Sequence, residues 1–503
     1  MPDNNSAYSG GPVRVRFAPS PTGDLHIGGV RTALFDYLLA KNTGGQFILR
    51  LEDTDRNRLV EGSIDKIYES LKWVGLEWDE GPDIGGPHGS YVQSERVESG
   101  IYAMAAAKLI EKDLAYECDC TPERLERIRE RQRATKQAPG YDGHCRTRDP
   151  QELADSRTAG NPIVVRLMVP RTRTANFNDE VRGNVSIKYQ DISDFVIMKS
   201  DGFPTYHLAH IVDDDDMKIT HVLRGEEWLP SVPRHLLLYE GLEIPKPVYA
   251  HLPVILAEDR SKLSKRHGAV SALDFRDAGY LPDSIFNFLA LLGWSPGNDL
   301  EVMTREETIE KFSLDRVKEA PALFDRSKLE WMNGTYIRQI PVDDLVDLTL
   351  PFLESLVPAK DLLPNELYKI RPMIAMTQER MKTLAEAPEA IELFFEKSIN
   401  PTSEELIQKK MDAASTASAL ETSLNIIRDF EPFEPEPLEI RFRSLATELD
   451  VKVGALFGSI RVATTARKVA PPLFDTMVTL GKETTIERIE NAITTLTSGN
   501  GNS

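Results

Sequence analysis

The chain has 503 residues and is poor in cysteine, in long apolar runs and in net positive charge. Its three cysteines, an odd number, argue against a disulfide framework and fit a reducing, cytoplasmic compartment. No apolar stretch approaches the ~20 residues that a membrane-spanning helix needs, so no membrane partner is expected. Met1 to Gly11 is polar, lacks the apolar segment of a secretory signal and reads as a disordered tail. Lys and Arg number 60 against 79 Asp and Glu, a formal net charge of −19. That balance disfavours indiscriminate nucleic-acid binding, but local basic tracts can still admit one shaped partner. No internal repeat stands out. The remainder is ordinary for a globular protein, 41% hydrophobic and 28% charged, in a chain too long for one core.

What is present centres on Pro19-Ser20-Pro21-Thr22-Gly23-Asp24-Leu25-His26-Ile27-Gly28-Gly29. Before it, Val13-Arg14-Val15-Arg16-Phe17 alternates like a strand. After it, Val30, Leu34, Tyr37 and Leu38 recur at helical spacing. A strand running through a Pro/Gly turn into a helix start brings backbone N–H groups and the positive helix end to one place, which suits a phosphate. Gly28 and Gly29 allow close approach of backbone to a ligand. A second stretch, Lys262-Leu263-Ser264-Lys265-Arg266-His267-Gly268, packs cations around a serine, as a polyphosphate in the course of cleavage would require. Alone, each has a plainer meaning: an unliganded turn and a solvated basic loop.

Together they resemble the paired signatures of class I aminoacyl-tRNA synthetases, here His26-Ile27-Gly28-Gly29 and Lys262-Leu263-Ser264-Lys265-Arg266. Gly29 in place of a second histidine is typical of the bacterial glutamyl subgroup. So are the blocks Arg16 to Gly23, Arg50 to Arg56, Tyr206-His207-Leu208-Ala209 and Leu223-Arg224-Gly225-Glu226-Glu227. The resemblance implies an α/β fold: a Rossmann-like parallel-sheet catalytic core, interrupted by an acceptor-binding insert and followed by an all-α anticodon-binding region. The expected segments are a tail (1–11), the first core half (12–90), the insert (91–204), the second core half (205–260), a stem-contact region (261–340) and two helical anticodon domains (341–399 and 400–503).

The implied reaction is activation of L-glutamate by ATP with Mg2+, then transfer to the 3′ adenosine of tRNA(Glu), by a monomer. His26, Lys262 and Lys265 would be catalytic. Thr22, His26, Gly28, Gly29, Lys262, Leu263, Ser264 and Lys265 would bind ATP. Arg16, Ala18, Ser20, Glu52, Tyr206 and Arg224 would bind glutamate, with Glu52 on the α-amino group. Two guanidinium groups facing one carboxylate select it over an amide. Asn is frequent in the family where His210 stands. A paralogue charging another tRNA, including tRNA(Gln), and a non-catalytic tRNA-binding relative are the alternatives; the intact His26 and basic loop speak against the latter.

All three cysteines fall in one segment. Cys118, Cys120 and Cys145 could hold zinc, with Tyr141 or His144 as the fourth ligand, or be three buried thiols. Tyr141 matches the Tyr-x3-Cys spacing of the family's short paralogues; Thr147 stands where other members carry a ligand histidine. Arg124, Arg127, Arg129, Arg131, Arg133 and Lys136 form a basic run, solvated or facing RNA. Asp213 to Asp216 reads as an exposed acidic loop, Asp55 as the cap of a helix over 60–74, and Tyr91 to Lys112 as one helix. Leu345 to Leu356, Leu384 to Phe395 and Leu420 to Phe430 have helical spacing. Phe430 to Pro437 reads as a linker or turn, and Arg380 is a candidate anticodon contact by position only.

Overall fold

The computed structural model describes residues 11–354, 356 and 367–498. Residues 1–10, expected as tail, lie outside the described residues, as does part of the expected helix ending at Leu356. The chain forms two compact units: Met1–Arg276 with Pro282–Leu329, and Asp277–Leu281 with Glu330–Ser503.

The first unit is built on two strand–helix–strand pairs. Strand β1 (Arg14–Phe17) runs parallel to β2 (Gln46–Leu49), connected by helix α1 (Ile27–Thr43). Gly44 closes α1 in the left-handed region (φ 65°) and donates its N–H to the Ala40 and Lys41 carbonyls, the geometry a glycine adopts without strain. Every residue of β1 is buried. The alternation of Val and Arg therefore does not mark a half-exposed strand. Arg14 pairs with Glu80 at 2.8 and 3.0 Å and Arg16 with Asp214 at 3.0 Å, so both faces are covered and the charges are neutralised inside.

Helix α2 (Ser63–Val74) follows β2 and is preceded by Gly62, not by Asp55. Asp55 makes no side-chain cap, because a short 3₁₀ turn intervenes. Asp53 is the capping carboxylate instead: it accepts the Ser94 N–H (2.8 Å) at the start of α3 (Gln93–Val97). Gly100, at φ 75°, then separates α3 from α4 (Ile101–Glu111), which is why the single helix expected over 91–112 is two.

In the region expected as an insert, β3 (Ala115–Cys118), β4 (Val164–Leu167) and β7 (Phe195–Met198) form an antiparallel sheet. Helices α5 (Pro122–Ala134) and α6 (Pro150–Thr158) lie between its first two strands in sequence. A hairpin of β5 (Thr174–Asp179) and β6 (Gly183–Lys188) leaves that sheet. It adds to the second core pair, β8 (His221–Gly225) and β9 (Val248–Leu252), through Asp179 opposite Tyr249. Helix α7 (Tyr206–Asp216) precedes β8, and α8 (Val232–Leu242) joins β8 to β9. Thr220 links the halves by donating its N–H to the Arg14 carbonyl at 2.9 Å.

Asp213 to Asp216 ends α7 and is not an exposed loop. Asp213 and Asp214 are 0 and 2% exposed, because five cationic or polar partners on other elements converge on them: Gln93, Arg96, Tyr102, Arg50 and Arg16.

In the second unit the described elements from Val342 onward are helical. One apolar cluster gathers Leu345, Ile370, Ile374, Leu384 and Ile391; another gathers Leu420, Leu438, Phe442, Ile460 and Ile489. Residues 384–394 break into short turns around the helix Ala387–Ile391, so the spacing there overstates one helix. The expected linker yields a helix from Pro435 to Glu448, since prolines are tolerated in a first turn whose N–H groups need no helical partner. Arg380 donates to the Ala470 carbonyl at 3.0 Å, which anchors it within this unit.

Candidate active site

The turn after β1 is held shut by its own histidine. His26 is the N-cap of α1, and its Nδ1 accepts the Gly28 N–H at 3.0 Å, so in the neutral ring the proton sits on Nε2. A Cβ on Gly28 would lie 3.3 Å from that ring nitrogen, and one on Gly29 would lie 3.0 Å from Leu25. A side chain at either position would thus crowd the turn itself. Thr22 and Ser20 are exposed on the approach, with the Thr22 N–H donating to the Ser20 carbonyl at 2.8 Å, and Ala18 is half-buried.

The basic loop is brought to this turn by main chain. Ile27 donates its N–H to the Val270 carbonyl (2.7 Å), and His26 pairs with Ser271 as an antiparallel bridge. Gly268, at φ 96°, lets the chain reverse between loop and bridge. Leu263 is buried and anchors the loop, with its N–H on the Ile255 carbonyl, while Lys262 stays exposed. His267, a residue given no role in the sequence, organises the loop: its Nδ1 accepts the Ser264 N–H at 3.0 Å. The side chain of Lys265 lies outside the described residues.

Beneath the turn lie two sets of buried charge. In the first, Asp214 accepts from Arg50 (2.7 Å) and Arg16 (3.0 Å), and His210 Nδ1 lies 3.1 Å from its other oxygen. Arg50 also donates to Glu52 (3.0 Å). Asp213 takes Arg96, Gln93 and Tyr102. Burial opposes the charge on Asp214, and the two arginines outweigh it, holding this carboxyl well below the usual range. Burial pushes Glu52 upward against Arg50 and Arg16. Burial likewise holds His210 neutral, down to about 3, despite Asp214.

The second set is Arg224, on β8 and 6% exposed. Its Nε donates to His251 Nε2 (3.0 Å), its Nη1 to the Tyr206 hydroxyl (3.2 Å), and its Nη2 lies 3.4 Å from His235 Nδ1. Burial lowers both histidines and raises the tyrosine, so all three partners are neutral. Among the described residues no carboxylate reaches Arg224 at ion-pair distance. Tyr206 stacks on His210 (ring centroids 5.1 Å apart) and meets Trp228 at 4.4 Å; Trp228 is itself 37% exposed and caps the tyrosine from solvent. The geometry offers a buried cation beside a second arginine, both at strand ends near a phosphate-sized turn. That arrangement suits a small molecule carrying a carboxylate.

Away from this site, Cys118, Cys120 and Cys145 place their sulfurs within 4.8 Å of one another. The Tyr141 hydroxyl lies 3.5 Å from Cys118 Sγ and 3.4 Å from Cys120 Sγ, and it accepts the Cys145 N–H. Arg166 donates to Cys118 Sγ at 3.2 Å. Hydrogen bonds from Cys145, Tyr141 and Arg166 outweigh burial and depress the Cys118 thiol to about 4. One thiolate, two further thiols and a phenol gathered this closely suit a tetrahedral soft-ligand cation. His144 is no part of that group.

The structure therefore gathers His26, Gly28 and Gly29 with the basic loop, and Arg16, Glu52, Tyr206 and Arg224 at the buried charges beneath. Sequence reasoning passed over Asp179, His235, His251, Trp228 and His267. Trp228 directly follows the Leu223 to Glu227 block and was within reach of it; the histidines carry no spacing signal.

The fold and site define the catalytic domain of a class I tRNA synthetase. The family model described as tRNA synthetases class I (E and Q), catalytic domain, matches residues 12–331, and that of the anticodon binding domain matches residues 344–493. Glutamate–tRNA ligase of Roseiflexus sp. (strain RS-1) is 49% identical, with 98% of each chain covered. That of Dehalococcoides mccartyi (strain CBDB1) is 46% identical, covering 96% of this chain and 98% of its own. A solved glutamate tRNA ligase of Elizabethkingia meningosepticum CCUG26117, in complex with its amino acid, superimposes with a TM-score of 0.88 at 36% identity, over 97% of this chain and 100% of that one. The chain belongs to the glutamate–tRNA ligase family of class I synthetases.

Proposed function

We propose that this protein joins L-glutamate to tRNA(Glu) with consumption of ATP, acting as a cytoplasmic monomer. The observation that carries the amino-acid choice is Arg224, a buried guanidinium framed by three neutral groups and, among the described residues, met by no carboxylate at ion-pair distance. A γ-carboxylate completes that frame; a carboxamide leaves the cation unbalanced, a costly mismatch in a water-poor site. Arg16, Ala18, Ser20 and Tyr206 form the rest of the glutamate pocket, and Glu52 faces the α-amino group, whose positive charge restores the ionised carboxylate.

The reaction has two displacements. The α-carboxylate oxygen of glutamate attacks the α-phosphorus of ATP, and the bond to pyrophosphate breaks. The ribose hydroxyl of the terminal adenosine then attacks the acyl carbon, losing its proton to solvent as AMP leaves. Neither step needs a protein nucleophile, so the chain contributes position and charge. Thr22, His26 and the backbone at Gly28 and Gly29 cradle ATP, which arrives with Mg2+. Leu263 and Ser264 shape the loop whose Lys262 and Lys265 meet the departing pyrophosphate. The basic face of α5, where Arg127 and Arg131 make no ion pair among the described residues, suits the RNA backbone.

Cys118, Cys120, Tyr141 and Cys145 would hold one zinc ion, which would tie the end of β3 to the turn His144–Thr147. Metal analysis of protein purified without chelators should give about one equivalent per chain, lost in Cys145→Ser; a value near zero returns the thiols to packing.

The decisive assay is ATP–pyrophosphate exchange with glutamate or glutamine, each with and without tRNA. Exchange supported by glutamine and not by glutamate would overturn the reading.

A further inference from the structure

Arg224 does not stand on β8 unaided. Its Nε contact is His251, on β9 and fully buried. On the far side of that ring, His251 Nδ1 lies 2.5 Å from Asp179 Oδ2. Asp179 is 1% exposed and ends β5, the hairpin strand whose ladder pairing with β9 is Asp179 opposite Tyr249. Its other oxygen, Oδ1, accepts backbone N–H groups from Val181 (3.1 Å), Arg182 (2.9 Å) and His251 itself (3.2 Å). With four donors converging on it, this carboxyl serves as an acceptor. Burial works against its charge, and His251 with these N–H groups outweighs burial, so Asp179 stays ionised below the usual carboxyl range.

An ionised Asp179 forces the ring proton of neutral His251 onto Nδ1. Nε2 is then a bare lone pair, which is what the Arg224 Nε–H at 3.0 Å requires. The opposite tautomer would set N–H against N–H and push the guanidinium out of its frame. We infer that Asp179 and His251 are positioning residues that fix Arg224 for the substrate side-chain carboxylate, with Asp179 setting the His251 tautomer. The charge arithmetic supports the arrangement. Asp179 spends its charge on His251 and three backbone donors, one ring away from the guanidinium, so Arg224 is oriented by a neutral atom and keeps its cation for the ligand. A carboxylate placed directly on Arg224 would orient it equally well and cancel it. The insert hairpin thereby enters the specificity pocket through one side chain.

This inference rests on the glutamate reading, and the test separates the two. Asp179→Asn keeps the shape. Its amide oxygen can remain on the backbone donors, and its NH2 then faces His251 Nδ1, so the ring must carry its proton on Nε2. The glutamate KM in pyrophosphate exchange should rise about 10- to 100-fold, the scale of one mismatched buried donor, while the ATP KM stays within about twofold. In full-length chains with 15N-labelled histidine, the His251 resonance, identified by its loss in His251→Gln, should switch from the Nδ1-protonated to the Nε2-protonated form. His251→Gln offers Arg224 an acceptor that does not depend on Asp179, so adding Asp179→Asn to it should raise the glutamate KM little further.

An unchanged tautomer overturns the proposal. So does a wild-type glutamate KM in Asp179→Asn, or a parallel rise for ATP and glutamate, which would mark a merely structural role. A wild-type chain inert with glutamate defeats the glutamate reading alone; the tautomer switch then still decides whether Asp179 governs the Arg224 contact.

Discussion

Two buried arginines of the first unit, Arg50 and Arg224, sit at the same depth and have opposite surroundings. Arg50 is wrapped in carboxylates: Asp214 at 2.7 Å, Glu52 at 3.0 Å and Asp213 at 3.9 Å. Arg224 touches a phenol and two neutral imidazoles. The first is a closed account that ties β2 to the end of α7; the second is left open toward the site. Burial alone does not separate the architectural cation from the one proposed to meet substrate. The local sum of charge does.

The sharpest way to break this comparison is to replace both arginines with the same apolar residue. Arg224→Met should cut kcat/KM for glutamate by about 10³-fold or more, since the ligand carboxylate then enters an apolar site without a partner. Its thermal midpoint should equal or exceed wild type, because an uncompensated buried cation has been removed. Arg50→Met should do the reverse in kind, losing about 3–5 kcal/mol of stability as Asp214 and Glu52 are left facing each other. Calorimetry and exchange kinetics on the two variants decide it; if Arg224→Met proves the less stable of the pair, the distinction fails.

Lys265→Ala sharpens the comparison with a cation of the basic loop. A charge that acts on the transition state should show, on its removal, a kcat loss of about 10²-fold with little change in the ATP KM. A raised KM at normal kcat would make the loop a simple binding patch.

The smallest effect belongs to Asp36 on α1. It is fully buried, and neither carboxyl oxygen has a hydrogen-bond partner among the described residues. Burial drives its pKa well above the ordinary value; Arg16 opposes this and Asp214 adds to it. An acid whose folded pKa is raised contributes stability that is full below its unfolded value and lost as pH climbs through the folded one. Asp36→Asn removes that loss. The variant should match wild type near about pH 4, the unfolded carboxyl value, and melt higher than wild type as pH rises. A midpoint difference that does not change with pH would show Asp36 to be ionised throughout.

Much of this site was legible because its parts are contiguous blocks. The turn at His26, the loop at Lys262 and the segments bearing Tyr206 and Arg224 could each be read in a short window. The resemblance that these blocks carry implied the α/β core. What could not be read was the lining. Asp213 and Asp214 look like any acidic run, because sequence does not say whether a charge faces water or an arginine far along the chain. Arg14 and Arg16 alternate with valine as on a half-exposed strand, yet both faces are covered. Asp179 and His251 meet only because a hairpin deep in the insert docks on β9, a pairing of one residue that no periodicity announces.

The bridge between the His26 turn and Val270–Ser271 has a consequence for the birth of the molecule. The proposed nucleotide cradle is shut by main-chain bonds to residues that leave the ribosome long after α1 has emerged. Until residue 271 is synthesised and clear of the exit tunnel, the turn has no partner strand and its histidine no fixed wall. The helix and strands near the N-terminus can pack early, but the pocket they frame is completed late, after a long loop has closed. Nascent chains arrested before residue 271 should fail to retain ATP, and those arrested well beyond it should hold it. The growing polypeptide would then carry no half-made adenylating site through the first half of its own synthesis.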